Sequence, residues 1–147
     1  MVTKAQMRSA VENYARALTA GDVQAIVSLF SDDATFEDPI GGNPETHSGP
    51  IQGRAAIAQY FRAMFEYTGG LILMQPSGEV RVARRHAACA FIARMPRVAE
   101  PFCMATLDTF EFNDEGMIVR FHAYFGEDNR HAVDWVDPVQ LANAWST

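Results

Sequence analysis

The 147-residue chain has few cysteines, few basic residues and no long apolar run. Its two cysteines, Cys89 and Cys103, match no metal-ligand spacing and no disulfide framework, so we expect buried apolar side chains. The 12 Lys and Arg against 18 Asp and Glu give a formal net charge of -6, and no basic run exceeds Arg84-Arg85, which argues against a nucleic-acid partner. No stretch approaches the ~18 consecutive apolar residues of a membrane span. The N-terminus has no signal-peptide core, so the expected compartment is the cytoplasm.

The hydrophobic content of 48% is enough for one domain with its own core. We expect this domain to cover residues 1–147, with 132–147 as a C-terminal extension for which the pattern predicts no element. Apolar residues at helical spacing, framed by caps such as Thr3 and Asp22, predict three helices in the first half of the chain. After Gly69-Gly70 the apolar period becomes two. This period predicts strands near 71–75, 78–84, 86–95, 102–112 and 117–126.

Helices followed by a run of strands indicate an α+β fold, with helices on one face of an antiparallel or mixed sheet. A short strand, Ala34–Asp38, precedes the third helix, which runs from about Arg54 to Tyr67. The polar segment Gly41–Gly53 between them is typical of a loop. A strongly curved sheet closed by three N-terminal helices forms a cone, so the element order predicts an interior pocket.

Two carboxyl groups fall on the inner faces of predicted strands. Alternate strand residues share a face, so Asp38 points inward with Phe36 while Glu37 points to water. Asp108 is followed on its own face by Phe110 and a second phenylalanine. Because an ionised carboxylate is costly to bury in such a setting, we expect Asp108 to keep its proton near neutral pH.

A phenol joins these two carboxyl groups. Tyr14 lies within the apolar stripe of the first helix, so its hydroxyl enters the interior with its ring. Taken singly, each group has an ordinary structural explanation: an inward aspartate caps a turn or pairs with a basic group, and a core tyrosine packs. Two carboxyls and a phenol in one apolar cavity are, together, the arrangement that general acid–base chemistry requires.

These residues, in this order, resemble the bacterial ketosteroid isomerases (steroid Δ5-3-oxo isomerases), within the fold group named after nuclear transport factor 2. The similarity covers roughly residues 5–131. It is carried by ENYARALTAGDVQAIVSLFSDDATFEDPIGG, by ATLDTF at 105–110 and by AYFGEDN at 123–129. The resemblance implies a cystatin-like α+β roll and a homodimer formed through the outer face of the sheet.

The same resemblance implies a role for each polar group. Asp38 would be the catalytic base, and Tyr14 and a protonated Asp108 would donate hydrogen bonds to the oxyanion, as established for that family. The implied partner is a small apolar 3-oxo steroid, and the chemistry needs no metal and no cofactor. The residues expected to line the substrate site are Phe36, Tyr60, Phe61, Met104, Phe110 and Phe125.

Three features depart from the family pattern. The loop GGNPETHSGPIQGR is several residues longer, and the tail from about residue 132 is additional. Phe61 occupies the position at which some members carry a tyrosine that supports the oxyanion-hole tyrosine, and Tyr60 lies one residue away. The sequence therefore leaves open which group supports Tyr14.

Two other functions stay open. A binding module of the same fold would take apolar ligands without chemistry. An isomerase, cyclase or hydrolase would act on another compact apolar carbonyl or epoxide. An epoxide hydrolase would need an Asp–Arg–Asp group, for which Arg81, Arg94 and Arg120 are candidates by type, although Arg120 is expected to face outward.

Overall fold

Three α-helices pack on one side of a curved sheet in the computed structural model, which describes residues 1–43 and 47–136. The predicted α+β class is confirmed. The helices are α1 (Lys4–Ala20), α2 (Val23–Val27) and α3 (Arg54–Tyr67). Thr3 and Gln6 form the expected capping box, because each side chain accepts a hydrogen bond from the other residue's backbone N–H. None of the described helices is both long and apolar enough to cross a membrane.

Ten strands lie in the described part of the chain, and most of them form one mixed sheet. The strands are β1 (Phe30–Glu37), β2 (Gly42–Asn43), β3 (His47–Ser48), β4 (Ile51–Gln52), β5 (Leu73–Pro76), β6 (Arg81–Ala83), β7 (His86–Met95), β8 (Phe102–Phe112), β9 (Ile118–Tyr124) and β10 (Arg130–Ala132). The main path of the sheet is β4-β1-β9-β8-β7-β5, with β6 beside β7 and β10 beside β8. Strands β1 and β9 are parallel, and the other pairs are antiparallel.

Strands β7 and β8 have the predicted bounds, but the first strand differs from its prediction. It begins at Phe30 and ends at Glu37, so Asp38 follows the strand instead of ending it. The pairing of β1 with β9 shifts register between Phe30 and Thr35. The exposed polar residues in this irregular stretch conceal the strand's start in the sequence.

The predicted loop Gly41–Gly53 is more ordered than its composition suggests. It holds three two-residue strands, and residues 44–46 within it lie outside the described part of the chain. Strand β2 pairs with β3, and β4 pairs with β1 through Phe36 and Ile51. The C-terminal end of this long segment is therefore hydrogen-bonded to the edge of the main sheet.

Aromatic side chains fill the core between the helices and the sheet. Tyr14 of α1 lies among Phe61 of α3, Phe110 of β8 and Phe121 of β9, with ring centroids 5.2–6.5 Å from its own. Phe36 of β1 stacks on Phe121 at 4.7 Å. These rings are at most 2% exposed, so they join α1, α3 and the sheet into one apolar interior.

The start of the C-terminal extension lies against the sheet. Strand β10, for which the sequence predicted nothing, pairs with the first residues of β8. The ring of His131 stacks on Trp135 at 3.9 Å, and an Arg94 N–H donates to the backbone oxygen of Trp135 at 3.1 Å. The remaining residues of the extension, 137–147, lie outside the described residues.

Candidate active site

Asp38 lies between the end of β1 and the start of the long loop, and it is half-buried. Its Oδ2 accepts a hydrogen bond from the hydroxyl of Tyr60 at 2.5 Å. Tyr60 is carried by α3, which packs against β1. Asp38 was expected to point inward, and its hydrogen bond with Tyr60 of α3 agrees with that direction. The direction does not come from strand alternation, because Asp38 lies beyond the end of β1.

Glu37, the neighbour of Asp38, was expected to point to water, and this expectation is wrong. Its Oε2 accepts a hydrogen bond from the backbone of Gly41 at 2.8 Å. Its Oε1 lies 3.5 Å from Nε2 of His122, and the Glu37 side chain is 17% exposed. The parallel pairing of β1 with β9 places these two residues side by side on the outer face, where each shields the other from solvent.

Asp108 lies in the middle of β8 and is 1% exposed, on the same inner face as Phe110. Thr106, two residues earlier on that face, donates its hydroxyl hydrogen to Oδ1 of Asp108 at 2.8 Å. Cys89 is the residue directly opposite on β7. Since Thr106 occupies Oδ1, a proton on Oδ2 would be available for donation to a ligand.

Tyr14 is 2% exposed, and its ring is fixed by the surrounding phenylalanines. Burial raises the pKa of its hydroxyl well above the usual value, and the charges of Asp108, Asp38 and Tyr60 raise it further. The phenol therefore stays protonated at neutral pH and is able to donate a hydrogen bond. The influence of both carboxyls on one hydroxyl places the three groups in a common electrostatic environment.

Two carboxyl groups so arranged do not ionise alike. Burial raises the pKa of Asp38 from 3.8 to about 6, against the hydrogen bond from Tyr60, which lowers it. Burial also raises the pKa of Asp108 well above its usual value, and the negative charge of Asp38 adds to this rise. Asp38 therefore ionises first, and Asp108 keeps its proton while Asp38 carries the charge.

The effect of Asp108 extends to the neighbouring strand. Burial, with a contribution from Asp108, raises the pKa of the Cys89 thiol to about 11. The thiol is therefore protonated at neutral pH and is a poor nucleophile. Cys89 is 2% exposed, which agrees with the expectation that it is a buried apolar side chain.

The predicted lining residues fall into two groups. Phe36, Phe61 and Phe110 belong to the closed aromatic core and are at most 2% exposed, and Tyr60 beside them is 9% exposed. Two others, Met104 and Phe125, are half-buried at the edge of this core. Contact of these six side chains with a substrate stays a prediction.

Two surface clefts in the described part of the chain do not include either carboxyl group in their lining. One, of about 370 Å³, lies between α1 and α2 and includes Asn13, Arg16 and Ser28. The other, of about 230 Å³, includes Thr106, Leu107 and Tyr124. Neither cleft is lined by Tyr14, Asp38 or Asp108.

The candidate arginines do not lie beside the carboxyl pair. Arg120 is 57% exposed and lies 3.3 Å from Glu111, facing outward as expected. Arg94 donates to Gln75 at 2.6 Å on the outer face, and Arg81 is exposed. Within residues 1–43 and 47–136, no group of three or more His, Cys, Asp or Glu side chains is placed to hold a metal ion.

Two contacts of the site were missed in the sequence. Tyr60 was expected to line the substrate site, whereas its hydroxyl binds Asp38. Helical spacing carried a signal, because Tyr60 follows buried Ile57 by three residues and therefore shares its face. The bond from Thr106 to Asp108 could have been anticipated from strand alternation, since the two residues share one face.

A family model described as the SnoaL-like domain matches residues 11–121. The chain belongs to the SnoaL-like family. The matched segment runs from α1 to β9 and contains Tyr14, Asp38, Tyr60 and Asp108. The family's fold, with a curved sheet and three helices, is the one described above.

Individual relatives of this SnoaL-like chain are enzymes by name. A steroid Delta-isomerase of Nocardioides simplex is 28% identical over 121 residues, which cover 82% of this chain and 90% of that protein. A solved structure of SalBIII, an epoxide hydrolase/cyclase-like enzyme with a role in pyran ring formation in the polyether salinomycin, superposes with a TM-score of 0.76. It is 26% identical and covers 90% of this chain and 99% of its own.

Proposed function

We propose that the chain is a steroid Δ5-3-oxo isomerase, which moves a C=C bond into conjugation with the 3-carbonyl by intramolecular proton transfer. The observation that carries the proposal is the burial of Tyr14 and Asp108, 2% and 1% exposed, in one aromatic core, with Asp38 bound by Tyr60 at the edge of that core. In this environment one carboxyl ionises and the other stays protonated. The steroid Delta-isomerase relative supports a small apolar substrate.

In the proposed mechanism, ionised Asp38 removes a proton from the carbon between the carbonyl and the double bond. The electrons of that C–H bond move toward the carbonyl oxygen and form a dienolate. Tyr14 and protonated Asp108 donate hydrogen bonds to this oxygen as its negative charge grows. Asp38 then returns the same proton at the far end of the conjugated system, so no atom is gained or lost.

The two buried donors have the properties that this step needs. Both are protonated at neutral pH and lie in an apolar interior, where a hydrogen bond to a developing negative charge is stronger than in water. Loss of one such donor costs on the order of 100-fold or more in kcat. The base, with a pKa of about 6, is largely ionised at pH 7 and above.

The experiment mixes the protein with an unconjugated 3-oxo-Δ5 steroid and follows the absorbance of the conjugated product. Asp38→Asn should reduce turnover by at least about 100-fold, because the general base is lost. The same variant should still bind a phenol that mimics the dienolate, since both donors remain. Asp33→Asn, a change of an exposed carboxylate outside the site, is the matched control. Parent-rate turnover by Asp38→Asn would show that Asp38 is not the base.

A second candidate function is ring closure of an epoxide, and the structural similarity to SalBIII favours it. Protonated Asp108 would donate its proton to the epoxide oxygen while Asp38 takes the proton of the attacking hydroxyl. One C–O bond breaks and another forms within the same molecule. An epoxy-alcohol probe in ¹⁸O-labelled water distinguishes the cases: cyclisation incorporates no label, hydrolysis incorporates one atom, and a steroid isomerase leaves the probe unchanged.

A binding module without chemistry is the third candidate. It would bind the unconjugated steroid, measured by calorimetry, without producing the conjugated absorbance. Three buried polar side chains argue against a binding module: Tyr14, Asp38 and Asp108. Burial of a polar or ionisable group lowers the stability of the fold, and a pocket that only binds apolar ligands does not need such groups.

A homodimer through the outer face of the sheet is part of the proposal. Leu107 of β8 and Tyr124 of β9 are direct register partners on that face. They are 43% and 47% exposed and form an apolar patch that α1, α2 and α3 do not cover. Association of two copies through this patch would remove it from water.

A further inference from the structure

The hydroxyl of Tyr60 is directed at the carboxylate of Asp38. Their oxygens are 2.5 Å apart, within the range of about 2.5–2.7 Å for a hydroxyl bound to a charged oxygen. Burial and the charge of Asp38 raise the pKa of Tyr60 well above its usual value. Tyr60 therefore keeps its proton and is the donor in this pair.

The ring of Tyr60 is held by its neighbours on several sides. Its centroid lies 5.1 Å from Phe36, 5.3 Å from Phe61 and 5.4 Å from the ring of His47. Tyr60 is 9% exposed. Because the ring cannot swing freely, the hydroxyl stays at one place relative to β1, which is the strand that leads into Asp38.

The adjacent residue on α3 has a different role. Phe61 faces Tyr14, with ring centroids 6.5 Å apart, and it has no hydroxyl to offer. Helix α3 therefore contacts Asp38 through the hydroxyl of Tyr60, whereas it contacts Tyr14 only through the apolar ring of Phe61.

We propose that Tyr60 is a positioning residue for Asp38: it holds Oδ2 of the carboxylate, so that Oδ1 is the oxygen that exchanges a proton with substrate. This inference rests on the proposed function for its effect on rate. The effect of Tyr60 on the position and pKa of the Asp38 carboxylate does not depend on a substrate. A fixed carboxylate loses less entropy when it reaches the geometry for proton transfer.

The charged and titratable groups around Asp38 set how the bond acts. Tyr60 faces it from α3, and Tyr14 of α1 and Asp108 of β8 share its electrostatic environment. His47 of β3 makes an edge-on contact with the Tyr60 ring. Burial raises the pKa of Asp38, and the Tyr60 bond is the influence that lowers it. Tyr60 thereby keeps the base ionised at neutral pH.

Tyr60→Phe removes the hydroxyl and keeps the ring. The midpoint of Asp38 ionisation, followed by ¹³C NMR of its carboxyl carbon, should rise by about 1 pH unit. The acid limb of kcat/KM should move in the same direction and by a similar amount. Tyr67→Phe is the matched control, because Tyr67 lies on the same helix, is 63% exposed and should leave the midpoint unchanged.

An unchanged Asp38 midpoint in folded Tyr60→Phe would overturn the inference. A raised midpoint in a protein that does not isomerise steroids would support the inference and refute the proposed function. If Tyr60→Phe does not fold, the wild-type protein supplies the test through proton NMR. A far-downfield hydroxyl resonance should be present above pH 7 and fade as Asp38 protonates, and its absence above pH 7 would also overturn the inference.

Discussion

The ionised carboxylate of Asp38 should destabilise the fold at neutral pH, and Asp38→Asn should reveal by how much. The pKa of Asp38 is 3.8 in its ordinary state and about 6 in the folded protein. A folded-state pKa that is raised means that stability is fully present below pH 3.8 and is lost as the pH rises through about 6. The rise corresponds to a loss of about 3 kcal/mol when the titration is complete.

Asn does not titrate, so the variant should escape this loss. The difference in unfolding free energy between Asp38→Asn and the wild type should increase with pH. About 1.4 kcal/mol of the increase should fall between pH 5 and pH 8, with the variant favoured at the higher pH. Any constant effect of the new side chain cancels, since only the change with pH is compared.

Urea unfolding of both proteins at several pH values measures this difference. Asp33→Asn is the control, because Asp33 is exposed and the corresponding difference should stay flat. The comparison is repeated with Asp108→Asn present in both proteins, which removes the coupled carboxyl and should leave the increase intact. A difference that stays constant or shrinks from pH 5 to pH 8 would refute the raised pKa of Asp38 in the folded protein.

Three further predictions follow from the site and the sheet. The kcat/KM of the proposed isomerisation should fall as the pH drops through about 6, where Asp38 protonates, and a pH–rate profile measures this. Tyr14→Phe and Asp108→Leu should each lower kcat by on the order of 100-fold with near-normal urea midpoints. Asp108→Asn should lose less activity, because its amide still donates; equal losses for Leu and Asn would contradict donation by Asp108. Leu107→Glu should convert the proposed dimer to a monomer by sedimentation at micromolar concentration, and a monomeric wild type would contradict the dimer.

Local periodicity was sufficient for most of the fold. Strands β7 and β8 and helix α3 have the bounds that alternating or helical apolar patterns predict, because each buries one face along its whole length. Strand β1 was predicted too short, because its first half contains exposed polar residues and a register shift, which together interrupt the apolar alternation. Strand β10 was missed because a three-residue strand is too short to show a period.

Some features of the candidate site were likewise predictable from the sequence, and others were not. The inward direction of Asp108 was predictable, because its strand is regular and its neighbours alternate. Alternation places Glu37 correctly on the outer face, but its exposure to water was predicted wrongly, because alternation does not show that His122 of a parallel neighbour covers it. The bond between Tyr60 and Asp38 joins residues 22 positions apart, so it depends on how α3 lies over β1.

The sequence by itself determined which groups enter the interior. Spacing along α1 and β8 turns Tyr14 and Asp108 inward, because a helix or strand with one apolar face has only one favourable orientation. The tertiary structure decided which groups meet. It placed the hydroxyl of Tyr60 beside Asp38 and packed the rings of Phe61, Phe110 and Phe121 around Tyr14. These contacts depend on the packing of distant elements, which leaves no periodic trace along the chain.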